Sequence, residues 1–136
     1  MKISKFQFSN PVLIDLKFSI NNDYHQDSCQ IGTRTTTNIQ KSETENSAFV
    51  TVTMTVGHEG NDVPFMITIA EQARFMWESN DEFIDENEEE CIDRLLRQNA
   101  PALLIGYIRP IIASITSSSP FPTYNLPFID LTEKTN

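Results

Sequence analysis

Residues 99–128 join an almost wholly apolar, helix-forming run to a tail of prolines and aromatics, and this pairing constrains the chain more than any other feature. From Pro101 to Ser118, at about 100° per residue, Leu103, Leu104, Tyr107, Ile108, Ile111, Ile112 and Ile115 share one broad side. That stripe is expected to pack on a sheet, where each buried aliphatic side chain contributes about 1.5–3 kcal/mol. The opposite side holds Ala102, Gly106, Ala113 and Ser117, with Arg109 and Pro110 at its borders. A solvated side would be rich in Glu and Lys, whereas small residues let another backbone come close. The small side is therefore expected to meet a helix of a second subunit. Pro110 removes the donor to the Gly106 carbonyl, so a kink is expected there. Past Ser118, Pro120, Pro122 and Pro127 force an extended path, and Phe121, Tyr124, Leu126 and Phe128 either pack on the domain or meet a ligand.

The first half reads as strands. Between Ala48 and Val56, Val50, Val52, Met54 and Val56 alternate with Thr51, Thr53 and Thr55, the pattern of a strand buried on one face and wet on the other. Gly57 to Asp62 supplies turn residues, and Val63 to Trp77 resumes an extended pattern, so the two runs should form an antiparallel hairpin. Pro11 to Ile20 places Val12, Ile14, Leu16, Phe18 and Ile20 on one face. Residues 30–39 are β-prone through their threonines but weakly apolar, which suits an edge. Asp85 to Ala100 reads as a helix with acids early and Arg94 and Arg97 late, aided by the i,i+4 pairs Glu90–Arg94 and Asp93–Arg97. Pro101 should end that helix and open the next. The expected fold is α+β: a four-stranded antiparallel sheet followed by a long kinked helix packed on it, in a single domain over residues 1–136.

Composition narrows the function. The net charge of −9 would be repelled by phosphate backbones and anionic lipid, so neither nucleic acid nor a membrane surface is an expected partner. The stretch 101–115 is too short for a bilayer span and has Arg109 and Pro110 at its centre. Residues 1–8 lack the continuous apolar region of a secretory signal. Cys29 and Cys91 carry no motif and read as two unpaired thiols, so a cytoplasmic location is expected.

Catalytic chemistry is not expected. His25 and Cys29 have i,i+4 spacing but no further ligand nearby, and His58 stands alone in a turn, short of the four ligands of a zinc site. Cys91 with a histidine could form a nucleophile–base pair, but its spacing to Leu95 marks it as a small core residue. The acidic run Asp81 to Glu90 lacks the central glycine of a calcium loop and reads as a solvated helix start. The scattered glycines form no phosphate loop. No metal and no cofactor are expected.

Four strands, a proline-led helix and an extended aromatic–proline stretch follow one another in an order that resembles the bacterial export chaperone family SecB. The residues carrying the resemblance are Pro101, Leu103-Leu-Ile105, Tyr107, Arg109, Phe121-Pro122 and Asn125-Leu126, together with the strand from Phe65 to Met76 and its following aromatic. The resemblance implies a homotetramer built as a dimer of dimers, with sheets outside and helices between. It also implies an ATP-independent holdase that covers apolar segments of unfolded preproteins and passes them to the motor SecA. Net acidity suits basic, unfolded clients.

Three departures stand out. The sequence given stops at Asn136, so the second C-terminal helix of SecB, which lines part of the client groove, is expected to be missing or vestigial. Of the strand acids that dock SecA, Asp15 matches one, while Thr68 occupies the other place. Pro110 stands where the family has an ordinary helical residue. The expectation is a divergent SecB-like protein, of the kind found in Gram-positive bacteria, that is not an enzyme. Phe75, Trp77, Phe121, Tyr124, Leu126 and Phe128 are its candidate client contacts, Asp15 its candidate docking residue, and Ala102, Gly106, Ala113 and Ser117 its candidate subunit interface in a dimer or tetramer. The alternative is a partner-specific module on the same fold, serving one antitoxin or regulatory protein. An enzyme or small-ligand protein would need a deep pocket around His58 or Cys91.

Overall fold

The computed structural model describes residues 5–78 and 87–131. Five strands form one antiparallel sheet: β1 (Gln7–Phe8), β2 (Val12–Ile20), β3 (Thr33–Lys41), β4 (Ser47–Gly57) and β5 (Phe65–Met76). β5 and β4 pair along their lengths, β3 closes one side of β4, and β1 and β2 share the free side of β5. The sheet thus has four strands across its width, as expected. The two-residue β1 had no alternation long enough to announce it.

The alternation read in β4 is the sheet's burial pattern. Val50, Val52, Met54 and Val56 are fully buried on the helix side, and Thr51, Thr53 and Thr55 are half exposed on the other. Gly57 turns the hairpin at φ 79°, where an added Cβ would lie 2.1 Å from the Phe65 carbonyl oxygen. β2 departs from its expected alternation. Leu13 pairs with Glu71 and Asp15 with Ala70, so Ile14 is an extra residue at a bulge. Below the bulge Leu16 and Phe18 face the helix side with Ile69 and Ile67, but Val12 pairs with Gln72 on the outer face. Val12, Leu13, Ile14 and Leu16 are all exposed on this edge strand.

The helical half is one continuous rod instead of two helices broken at Pro101. α1 (Glu88–Arg94) starts at Asn87, whose side chain accepts from the Glu89 and Glu90 amides. A π turn (Leu95–Asn99) leads without interruption into α2 (Ala100–Ser117). The wider turn explains why Pro101 does not break the rod: the Ala100 amide reaches back five residues to the Leu95 carbonyl, and the ladder is already shifted where proline brings no donor. The whole of Glu88–Ser117 has the length and apolar composition of a bilayer span, longer than the expected 101–115 stretch, and α2 packs one side on β4 and β5. Residues 79–86, including Asp85, Glu86 and most of the acidic run, lie outside the described residues. The expected pair Asp93–Arg97 is replaced: the Asp93 carboxylate meets Lys41 of β3, and Arg97 donates to the Asp93 carbonyl.

α2 is rotated from its expected setting. The buried residues are Ala100, Pro101, Leu104, Ile105, Ile108, Ile112 and Thr116. Tyr107 is 43% exposed, and Leu103, Ile111 and Ile115 are only half buried. The apolar side of α2 is broader than the strip of sheet it covers, so Leu103, Ile111 and Ile115 fall at its border, the last two beside Leu16.

Candidate functional site

Two irregular segments meet at the Phe65 end of β5 and enclose a groove of about 460 Å³. One wall is the connection between β2 and β3, contributing residues 24–29 and Ile31; the other is the tail, with residues 121–124, and Pro64 and Phe65 form part of the lining.

Each wall is fixed by local polar chemistry. Asn21 starts the first: its side-chain oxygen accepts from the Asp23 amide, and its Nδ2 donates to the carbonyls of Gly60 and Val63 across the hairpin. The Tyr24 backbone N–H donates to the Asn21 carbonyl at 3.2 Å. The second wall begins where Ser119 ends the helix, its hydroxyl donating to the Thr116 carbonyl at 2.6 Å and accepting from the Phe121 amide at 3.1 Å. The buried Thr116 hydroxyl then accepts from the Tyr124 amide at 2.9 Å. The aromatic rings close the joint edge to face, Tyr24 on Phe121 at 5.8 Å and Phe65 on Tyr124 at 6.0 Å. A hydrogen bond with the Cys29 side chain raises the Tyr24 phenol above its ordinary value, with desolvation and the charges of Cys29 and Asp27 adding to it. Tyr24 is therefore a neutral hydrogen-bonding group at physiological pH. The groove combines aromatic faces with a polar rim of His25, Gln26, Asp27 and Ser28.

The sequence-named client contacts divide between two places. Phe121 and Tyr124 line the groove; Leu126 is buried next to it in the core, and Phe128 is 99% exposed over Arg109, its ring centroid 5.4 Å from the guanidinium carbon. Phe75 and Trp77 lie at the far end of β5, about 33 Å from Phe65 at a strand's rise per residue. Phe75 is a core residue, 2% exposed beneath Phe6 and Phe8, and Trp77 stacks on Phe6 at 6.1 Å. They form no part of the groove. Tyr24, Pro64 and Ile31 also belong to it, and the sequence does not announce them, because the loop around Tyr24 reads only as a polar connection.

The small side of α2 faces away from the sheet: Ala102, Gly106 and Ser117 are exposed, Ala113 is half buried, and a Cβ added to Gly106 would meet nothing within 4 Å. Beside it runs a second open surface of about 470 Å³, lined by Leu16 of β2 and by Pro110, Ile111, Ser114, Ile115 and Ser118. Asp15 lies exposed on the outer sheet face. Lys17 shares that face directly opposite Thr68.

The sites an enzyme would need look different. Nε2 of His58 lies 2.9 Å from Asp62, an exposed pair on the hairpin, and this hydrogen bond holds the Asp62 carboxyl below its ordinary value. Cys91 is half buried, with Arg94 donating to its sulfur at 3.9 Å. Among the described residues no group of three or more His, Cys, Asp or Glu is placed to hold a metal.

No family model matches the sequence. Over 46 residues, 34% of this chain, it is 44% identical to the protein-export protein SecB of Anaplasma phagocytophilum (strain HZ), and the match spans 29% of that protein's length. The Mycobacterium tuberculosis Rv1957 SecB-like chaperone, in complex with a ChAD peptide from the Rv1956 HigA1 antitoxin, superposes with a TM-score of 0.70 at 14% identity. That superposition covers 93% of this chain and 88% of the other. The sheet, its strand order and the single long helix therefore define a SecB-like fold. The chain is thus similar to SecB over a short stretch of sequence and to the mycobacterial SecB-like chaperone in fold.

Proposed function

We propose that this protein is an ATP-independent chaperone that captures extended apolar segments of other proteins in the groove between Tyr24 and Tyr124. The observation that carries the reading is the groove itself: aromatic faces from two hydrogen-bonded, irregular walls, with a polar rim, on a fold shared with peptide-binding SecB-like chaperones. Aromatic side chains present large apolar area at low entropic cost, and the rim can satisfy a client's backbone. Phe121, Tyr124 and Phe128 remain proposed contacts. Phe75 is withdrawn because it is buried. The protein is read as cytoplasmic and as a homo-oligomer, a second copy covering the apolar strip from Leu16 to Ser118. SecA docking through Asp15 is left out of this reading, because Thr68 on β5 stands where the second acid of such docking would be.

A second reading has its own support. The mycobacterial relative holds a peptide of one antitoxin, so the groove here could serve a single partner. Affinity capture with the purified chain separates the two. Many chemically denatured proteins retained without nucleotide support the general chaperone, one stoichiometric partner supports the dedicated one, and failure to retain any polypeptide refutes both.

A further inference from the structure

The tail wall of the groove has little packing for its length: between residues 122 and 128 only Leu126 is buried and Tyr124 half buried on Phe65, while Pro122, Thr123, Asn125, Pro127 and Phe128 are exposed. Its backbone is tied to α2 at two polar points instead. Thr116 Oγ1 donates to the Ile112 carbonyl at 2.8 Å while accepting from the Tyr124 amide at 2.9 Å. Seven residues earlier on the same flank of the helix, Arg109 donates to the carbonyl of Leu126 and, at 2.9 Å, to that of Pro127. The same guanidinium lies against the Phe128 ring. A planar fork suits two successive carbonyls, which a single ammonium cannot span equally well. Neither Arg109 nor Thr116 lines the groove.

We infer that Arg109 and Thr116 are positioning residues for client capture, fixing the Phe121–Tyr124 wall at the width a client enters without themselves touching it. This rests on the proposed chaperone function. With both anchors in place the wall is ordered before the client arrives. Without them each capture must also order the tail, and affinity falls by that cost. Arg109 is thus a site that tunes client affinity from outside the groove.

The test uses the full chain and, as probe, fluorescein-labelled, reduced and carboxymethylated α-lactalbumin, which cannot refold. Binding is read by anisotropy, tail order by amide hydrogen exchange at residues 121–128, and folding by the thermal melt. Arg109→Gln is expected to speed exchange across the tail and weaken probe binding about tenfold, the loss of one to two hydrogen bonds, with the melt little changed. Arg109→Lys should recover part of both. Thr116→Val keeps the shape, removes the Tyr124 acceptor and carries the same test should Arg109→Gln fold poorly. Faster exchange with wild-type affinity in these variants overturns the inference, as does unchanged exchange. A wild-type chain that binds no probe instead refutes the client-binding reading on which the inference rests.

Discussion

Glu71 is the residue whose placement departs furthest from its chemistry. It is 3% exposed on the helix side of the sheet, across from Leu13 and Val52, and desolvation raises its carboxyl above the ordinary value of 4.5. The native state therefore holds this proton to higher pH than the unfolded state does. Stability is favoured by this group at low pH and declines as pH rises from about 4.5 through the raised folded value. Replacing the acid by its neutral isostere should remove that slope. Glu71→Gln is expected to raise the melting temperature at pH 7 and to raise it less at pH 4; an equal gain at both pH values would exclude the titration of Glu71 as its source. The sequence could not show this, because Glu71 sits in a run whose alternation marks the position as buried while its residue type argues for solvent. Asn21, Thr116 and Arg109 were hidden for a related reason. Each acts through a backbone group 8 to 42 residues away, and no local pattern encodes such a partner.

Helix and strand identities were legible, since β4, β5 and the apolar run of α2 each show the period of their structure over many residues. Phase was less so. The π turn between Leu95 and Asn99 has no signature of its own, yet it absorbs Pro101. The broad apolar side of α2 leaves open which part the sheet covers, and in the fold Ile105 is buried and Tyr107 exposed. The bulge at Ile14 shifts the phase of β2, turning Val12 to the outer face. Packing fixes which side chains carry α2. Ile108 is fully buried against the sheet, and Ile108→Ala should cost about 2–5 kcal/mol in chemical denaturation, as expected for a core cavity. Tyr107→Ala, on the half-open flank, should cost about 1 kcal/mol or less in the same measurement; equal losses would contradict the rotated setting.

At the scale of the molecule, two open surfaces among the described residues bear on partners: the groove, and the apolar strip that joins the edge of β2 to α2. Exposed Val12, Leu13, Ile14 and Leu16 on an edge strand leave unpaired backbone beside apolar side chains, a combination soluble proteins normally cover. The small-residue side of α2 was readable in sequence as a place for another backbone, but the strip beside it emerges only when β2 is brought next to Ile111 and Ile115. Multi-angle light scattering is expected to show an oligomer at micromolar concentration, with Ile111→Asp shifting it toward monomer without loss of secondary structure. A wild-type monomer would contradict the proposed assembly.

The groove was half legible. Its tail wall carries prolines and aromatics that announce an exposed, extended, sticky segment, whereas the facing wall is a polar loop whose Tyr24 gains meaning only against Phe121. The most direct measurement of the central claim follows the turbidity of a chemically denatured model protein diluted into buffer without nucleotide. The wild-type chain, at one oligomer per denatured molecule, is predicted to suppress the turbidity, and a folded Phe121→Ser/Tyr24→Ser variant is predicted to lose most of that suppression. No suppression by the wild type, or equal suppression by the variant, would contradict client capture in this groove.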